Sequence, residues 1–248
     1  MKKLLFFLSV SLFALQSCSI NSESVYHADS ASTMVMDVDM KDAMTMVKSM
    51  MPDSLKDKKE FGKLEKLPKT WTSLYDLEEL EGKKKSKNPD SIRIMKKIFM
   101  KSNFQNDEMA GLSLKLDHFT KADYASAQNI SKKQQLPLDQ LNTNQWDGKT
   151  LVIDTEKFDM SNIESMITDK LPSDEAMGKA SGMLKMMFKD IGMTLKFDKK
   201  IKSITGKHDW ITKTDDHSVK IKYDLDYLFS EDKKPLQFSD KKIIIVTE

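Results

Sequence analysis

The stretch that most constrains the fold lies at the end of the chain, in KKIIIVTE (241–248). Ile243, Ile244, Ile245 and Val246 follow one another, so a strand here is apolar on both faces. β-Branched side chains favour the pleated backbone over the helix. Such a strand is stable only when covered on both sides and paired along both edges, which places it inside a sheet rather than at the rim.

Other segments alternate with the period of two that marks a half-buried strand. Met34, Met36, Val38 and Met40 alternate with Val35, Asp37 and Asp39, and Leu112, Leu114, Leu116 and His118 with Ser113, Lys115 and Asp117. Val219, Ile221 and Tyr223 do the same against Lys220 and Lys222, and MTLKFD (193–198) and KIKSITG (200–206) read as strands. TWTSLYDLEEL (70–80), with Trp71, Ser73 and Tyr75 opposite Thr72, Leu74 and Asp76, reads as a strand too. Asp147-Gly148 between two strand-like runs predicts a hairpin, because both residues tolerate the positive φ of a tight turn.

Helices are expected where the period lengthens. Met40, Met44, Val47 and Met51 share one face, and Pro52 stops that element. Asn88 as N-cap and Pro89 at the first helical position open another, lined by Ile92, Met95 and Phe99. Two more are expected at 160–169 and 174–190, the second capped by Ser173 and lined by Met177, Ala180, Leu184, Met187 and Ile191. Strands of mixed spacing with clustered helices imply an α+β fold: a mostly antiparallel sheet of about seven to nine strands with helices packed on it.

The start of the chain carries a different message. Met1-Lys2-Lys3 precedes an apolar run from Leu4 to Leu15, which is the layout of an export signal. The run is shorter than the ~20 residues a membrane-spanning helix needs. The single cysteine, Cys18, follows directly. Leu15-Gln16-Ser17-Cys18 resembles the lipobox of bacterial lipoproteins, with Gln16 looser than the usual small or aliphatic residue. The resemblance implies cleavage between Ser17 and Cys18, lipidation of the Cys18 sulfur, and a signal peptide over 1–17. Two or three acyl chains make attachment durable where one is marginal. The polar stretch after Cys18 lacks periodicity, so 18–31 is expected to be a flexible tether reaching ~45 Å at most. Residues 32–248 then form one α+β domain, with a candidate subdomain break near 127–141 in the polar stretch SAQNISKKQQLPLDQLN.

Two family resemblances add to this. The chain as a whole resembles Met- and Lys-rich lipoproteins of Bacteroidota. KIKSITGKHDW followed by DDHSVKIKYDL, within 197–225, resembles a hairpin of LppM-type lipoproteins, with Lys202, Gly206, Val219 and Tyr223 in the corresponding places. There the two strands belong to an open sheet, and the likeness implies lipid binding.

Charge excludes some functions. Without Lys2 and Lys3 the basic and acidic residues balance, and Arg93 is the only arginine. Arginine is the side chain that forks onto phosphates and guanine edges, so nucleic acid is not an expected partner. No His-Glu-x-x-His, Gly-x-Ser-x-Gly or phosphate-cradling glycine loop is present. An acylated Cys18 leaves no thiol nucleophile, so an enzyme is not expected and neither is a cofactor. His208 and His217, with Asp209, Asp215 and Asp216, crowd one expected turn but match no zinc spacing, and no metal site is assigned.

Methionine is the loudest compositional signal, with 18 in the chain, concentrated at 34–51 and 177–193. Most simply, flexible Met fills irregular core gaps. The same adaptability suits an apolar ligand surface, and Met-x-Met pairs could hold Cu(I). The expectation is therefore a lipid-anchored envelope protein, outer membrane facing the periplasm, that holds a lipid-like ligand. The alternative is a structural or assembly lipoprotein binding another envelope protein, with copper binding a distant third.

Overall fold

The computed structural model describes residues 18–41, 67–80, 82, 87–134, 144–158, 188–229 and 234–248. Twelve strands and four α-helices lie in these residues. The strands are β1 (Cys18–Tyr26), β2 (Ser32–Asp39), β3 (Thr72–Ser73), β4 (Ile98–Gln105), β5 (Glu108–Phe119), β6 (Asn144–Trp146), β7 (Thr150–Asp154), β8 (Phe188–Phe197), β9 (Ile201–Thr205), β10 (Ile211–Lys213), β11 (Ser218–Lys222) and β12 (Lys242–Thr247). The helices are α1 (Leu74–Leu80), α2 (Pro89–Met95), α3 (Lys121–Gln134) and α4 (Leu225–Phe229). The fold is α+β, as expected, with the strands divided between two sheets.

The large sheet has the order β10-β11-β8-β1-β2-β5-β4-β3, antiparallel except where β1 runs parallel to β8. The small sheet has the order β6-β7-β12-β9. β12 sits inside it, paired with β7 and β9, and Ile243 and Ile245 are buried to 1% and 0% exposure. The interior position is as expected, while Ile244 and Val246 on the opposite face are half-buried.

Paired residues in a sheet point to the same face, so the register defines rows of side chains across the large sheet. One row reads Val219, Leu195, Ser24, Met34, Leu116, Ile98. The next reads Ile221, Met193, Ser22, Met36, Leu114, Met100. Both rows are apolar except at β1, where serine interrupts them. The apolar stretches on either side of that interruption are covered by different layers.

On the β8–β11 side the small sheet provides the cover. Leu151, Ile153, Ile243 and Ile245 close on Leu195, Val219 and Ile221, with Tyr26, Phe158, Phe197 and Trp210 in the same cluster. On the β2–β5–β4 side the cover is helical: Leu74 and Leu77 of α1, Ile94 and Met95 of α2, and Ala127 of α3 pack on Met34, Ile98, Leu114 and Leu116. Each fully buried aliphatic side chain contributes ~1.5–3 kcal/mol, so both clusters weigh in the stability.

Local signals set the helices. Asn88 Oδ1 accepts from the backbone N–H of Asp90 and Ser91 at 2.9 and 3.1 Å, the expected cap with Pro89 inside it. That helix stops at Met95, so Phe99 lies in β4 instead. The stretch 70–80 is only briefly a strand. Ser73 Oγ accepts from the Asp76 N–H at 3.1 Å and donates to Asp76 Oδ2 at 2.6 Å, and this cap turns Leu74–Leu80 into a helix.

Several expectations need correction. Residues 18–26 of the expected tether form β1, at the centre of the large sheet. Their polarity hides the strand, because β1 is held by backbone ladders on both edges and its inner face carries serine. The candidate break at 127–141 begins inside α3, which runs to Gln134; 135–141 lie outside the described residues. Residues 188–190 open β8, so Ile191 is a strand residue. The LppM-like pair does not form a hairpin: β9 pairs with β12 in the small sheet, whereas β11 pairs with β8 and β10 in the large one. His118 adopts φ 50°, and this bulge puts Phe119, not His118, into the core. The leader 1–17, the Met44–Met51 face and the helices expected at 160–169 and from Ser173 lie outside the described residues.

Candidate functional site

Where the two covers part, above Ser24 of β1, the structure holds a cleft of about 490 Å³. Its floor is Ser24, Tyr26 and Ser32 of β1 and β2, with Met193 of β8. One wall is Phe119 and the start of α3, including Lys121 and Tyr124; the other is the β6–β7 hairpin, including Asn144 and Trp146. The turn between β1 and β2 contributes Asp29 and Ser30 at the rim.

The hairpin wall is fixed by its own turn. Lys149 and Thr150 donate backbone N–H bonds to Asp147 Oδ1 at 2.9 and 2.6 Å, which hold that carboxyl below its ordinary range. Gly148 has φ 96°, and a Cβ there would meet Ser30 Oγ at 2.6 Å. The hairpin is then pinned to the β1–β2 turn: Trp146 Nε1–H donates to the His27 carbonyl at 2.8 Å and Ser30 Oγ to the Asp147 carbonyl at 2.7 Å. Trp146, Tyr26 and Phe197 pack with ring centroids 5.3–5.7 Å apart.

The helical wall is fixed by a buried carboxylate. Thr120 N–H donates to Asp123 Oδ2 at 3.0 Å and Asp123 N–H to Thr120 Oγ1 at 3.3 Å, a reciprocal cap for α3. Lys97 Nζ reaches Asp123 Oδ2 at 2.8 Å, and Arg93 binds Asp123 Oδ1. Burial alone would raise the Asp123 pKa. The bonds from Lys97, the Thr120 backbone and Arg93 outweigh it and hold the carboxyl well below the ordinary range. The single arginine thus ties α2 to α3.

Hydroxyl groups line the interior. Asn144 Nδ2 donates to the Tyr26 hydroxyl at 3.0 Å, and Ser32 Oγ shares a hydrogen bond with the Tyr124 hydroxyl at 3.1 Å. Burial pushes both tyrosines above their ordinary pKa, so both stay neutral and able to donate. Phe119 meets Tyr124 edge-on at 5.1 Å and supplies apolar area beside these groups. The site can therefore surround an amphiphilic molecule with rings on two sides and uncharged hydrogen-bonding groups beneath.

Cys18 is the first residue of β1 and pairs with Phe188 at the end of the sheet remote from the cleft; Leu15, Gln16 and Ser17 lie outside the described residues. Met34 is packed in the helix-covered core, and Met193 lines the cleft. His208 and His217, which the sequence placed near one turn, are apart: His208 is buried against Phe158 and Trp210, and His217 lies on the β10–β11 turn, where its Nδ1 sits 3.0 Å from the Phe197 carbonyl. Two other histidines meet instead. His27 and His118 have ring centroids 5.0 Å apart, with Asp198 at 3.2 Å from His27 Nδ1 and Asp29 at 2.8 Å from His118 Nε2. Their nitrogens address separate partners, and no group of three metal-ligating side chains occurs among the described residues.

No described helix is long and apolar enough to cross a membrane. No protein-family model and no curated protein sequence matches the chain. Among solved structures, the folded domain of LppM from Mycobacterium tuberculosis, determined by NMR, is similar at a TM-score of 0.38 and 10% identity over 94% of this chain and 92% of that one.

Proposed function

We propose that this chain is a lipid-anchored envelope protein that holds an amphiphilic ligand in the cleft between the β6–β7 hairpin and α3. The observation that carries the reading is the double interruption of the apolar rows at Ser22 and Ser24. A sheet built only for stability would place aliphatic residues at the centre of its inner face; here serines sit at that centre, and the cleft lies over Ser24. Its volume falls in the range of small-molecule sites. The reading assigns no reaction, metal or nucleic acid to the protein. The anchor is the acylated Cys18, with Ser17–Cys18 as the cleaved bond, and the compartment is the outer membrane facing the periplasm.

Native mass spectrometry of the envelope-extracted protein, compared with its denatured mass, tests the ligand. A noncovalent adduct of lipid size that disappears on denaturation, and is lost in Ser24→Leu with the fold intact, is the expected result. A bare mass after incubation with envelope lipids would leave the structural or assembly role in its place. Metabolic labelling with an alkyne fatty acid tests the anchor: label should be absent from Cys18→Ser.

A further inference from the structure

The cleft has a feature that narrows the chemistry of its occupant, and the inference rests on the ligand-holding reading above. The polar groups inside it, Ser24, Tyr26, Ser32, Tyr124 and Asn144, are all uncharged. Among the described residues that line it, the charged side chains are Asp29, Lys121 and Asp147, each exposed at the rim. The two carboxylates there are already engaged, Asp147 by the backbone N–H groups of Lys149 and Thr150, and Asp29 by His118 and the Ala31 N–H. A charged headgroup brought inside would lose its hydration with no buried counter-charge among the described lining residues to replace it, which is strongly unfavourable. A hydroxyl or ester carbonyl would instead meet groups that both donate and accept, because hydroxyls rotate to suit either role.

We propose that the cleft selects an uncharged amphiphile, its hydroxyl- or carbonyl-bearing end bonded by Ser32, Tyr124 and Asn144 and its apolar part against Phe119, Trp146 and Met193. The ligand class is that of glycolipids, acylglycerols and long-chain alcohols, not fatty acids, phospholipid headgroups or quaternary amines.

Three probes sharing one chain length test this: octyl glucoside, octanoate and octyltrimethylammonium, titrated calorimetrically below their micelle concentrations. The protein is the chain from residue 18 carrying Cys18→Ser, which contains every described element. A fluorescent apolar dye, N-phenylnaphthylamine, reports whether the cleft binds at all. Octyl glucoside should bind at least tenfold more tightly than either ion. Tyr124→Phe and Asn144→Leu should each weaken octyl glucoside about three- to tenfold, the worth of a hydrogen bond, while leaving the dye unchanged. Equal or tighter binding of either ion would overturn the selectivity while leaving the cleft as a ligand site. Failure of the dye and of all three probes, in protein whose circular dichroism shows it folded, would overturn the ligand-holding reading as well.

Discussion

The two halves of the core solve the same problem with different materials. On the β8–β11 side one sheet covers another, and the fill is rich in rings and β-branched chains: Tyr26, Phe158, Phe197, Trp210, Ile153, Ile243 and Ile245. On the β2–β4 side short helices cover the sheet, and the fill includes Met34, Met95, Leu74 and Leu77. Backbone ladders join β12 to β7 and β9 within the covering sheet, whereas α2 and α3 are linked by side chains, through the Asp123 carboxylate with Arg93 and Lys97 and through the shared cluster of Ile94, Met95 and Ala127. The two covers meet along a seam that does not close, and the cleft occupies it.

The largest effect that would sharpen this contrast comes from the sandwich. Ile245→Ala removes a side chain with 0% exposure at the centre of the small sheet and should cost about 3–4 kcal/mol in denaturant unfolding. Loss of protection in hydrogen exchange should spread from β12 into β7 and β9. A cost below about 1 kcal/mol would mean that the small sheet carries little of the stability.

Asp123→Ala ranks next, at about 2–3 kcal/mol, from the lost cap and the charge-assisted bonds to Lys97 and Arg93. Its exchange signature should differ: α2 and α3 amides open while β12 stays protected. Because the folded-state pKa of Asp123 is depressed, its contribution is full above the ordinary carboxylate range and disappears as pH falls through and below that range. Uniform loss of protection across both halves would erase the distinction between them.

The smallest effect concerns His208. Burial pulls its pKa down against the opposing fields of Asp209 and Asp240, and its Nδ1 accepts the Trp210 N–H at 3.2 Å. The neutral ring is therefore the folded form. Stability from this site is present above the ordinary histidine pKa of ~6.5 and falls as pH drops below it. An unfolding series from pH 7.5 to 5 should show that decline, and His208→Phe should flatten it. An unchanged slope in the variant would assign the pH response to another group.

Much of the architecture was legible where one residue type forces one geometry. Asn88-Pro89 caps a helix, Asp147-Gly148 turns a hairpin, and the run Ile243–Val246 can only be interior. Other elements failed where tertiary pairing overrides composition. Ser22 and Ser24 carry no strand pattern, yet β1 is central because its backbone has partners on both edges. Ser73-x-x-Asp76 was a readable cap signal that the alternation of Trp71 and Tyr75 obscured. Asn106-Asp107, with φ 52° and 59°, could have revealed the β4–β5 hairpin. The cleft could not have been read, since Ser24, Tyr124 and Asn144 meet only after the sheet orders β1 beside β2 and the hairpin docks.

The strand that begins at residue 18 leaves no slack. Cys18 is bonded into the sheet beside Phe188, and Ser24 lies six residues further along an extended backbone, about 20 Å away. Any group carried on Cys18 is therefore held at the far end of the strand from the cleft, at a distance set by extended backbone rather than by a loop.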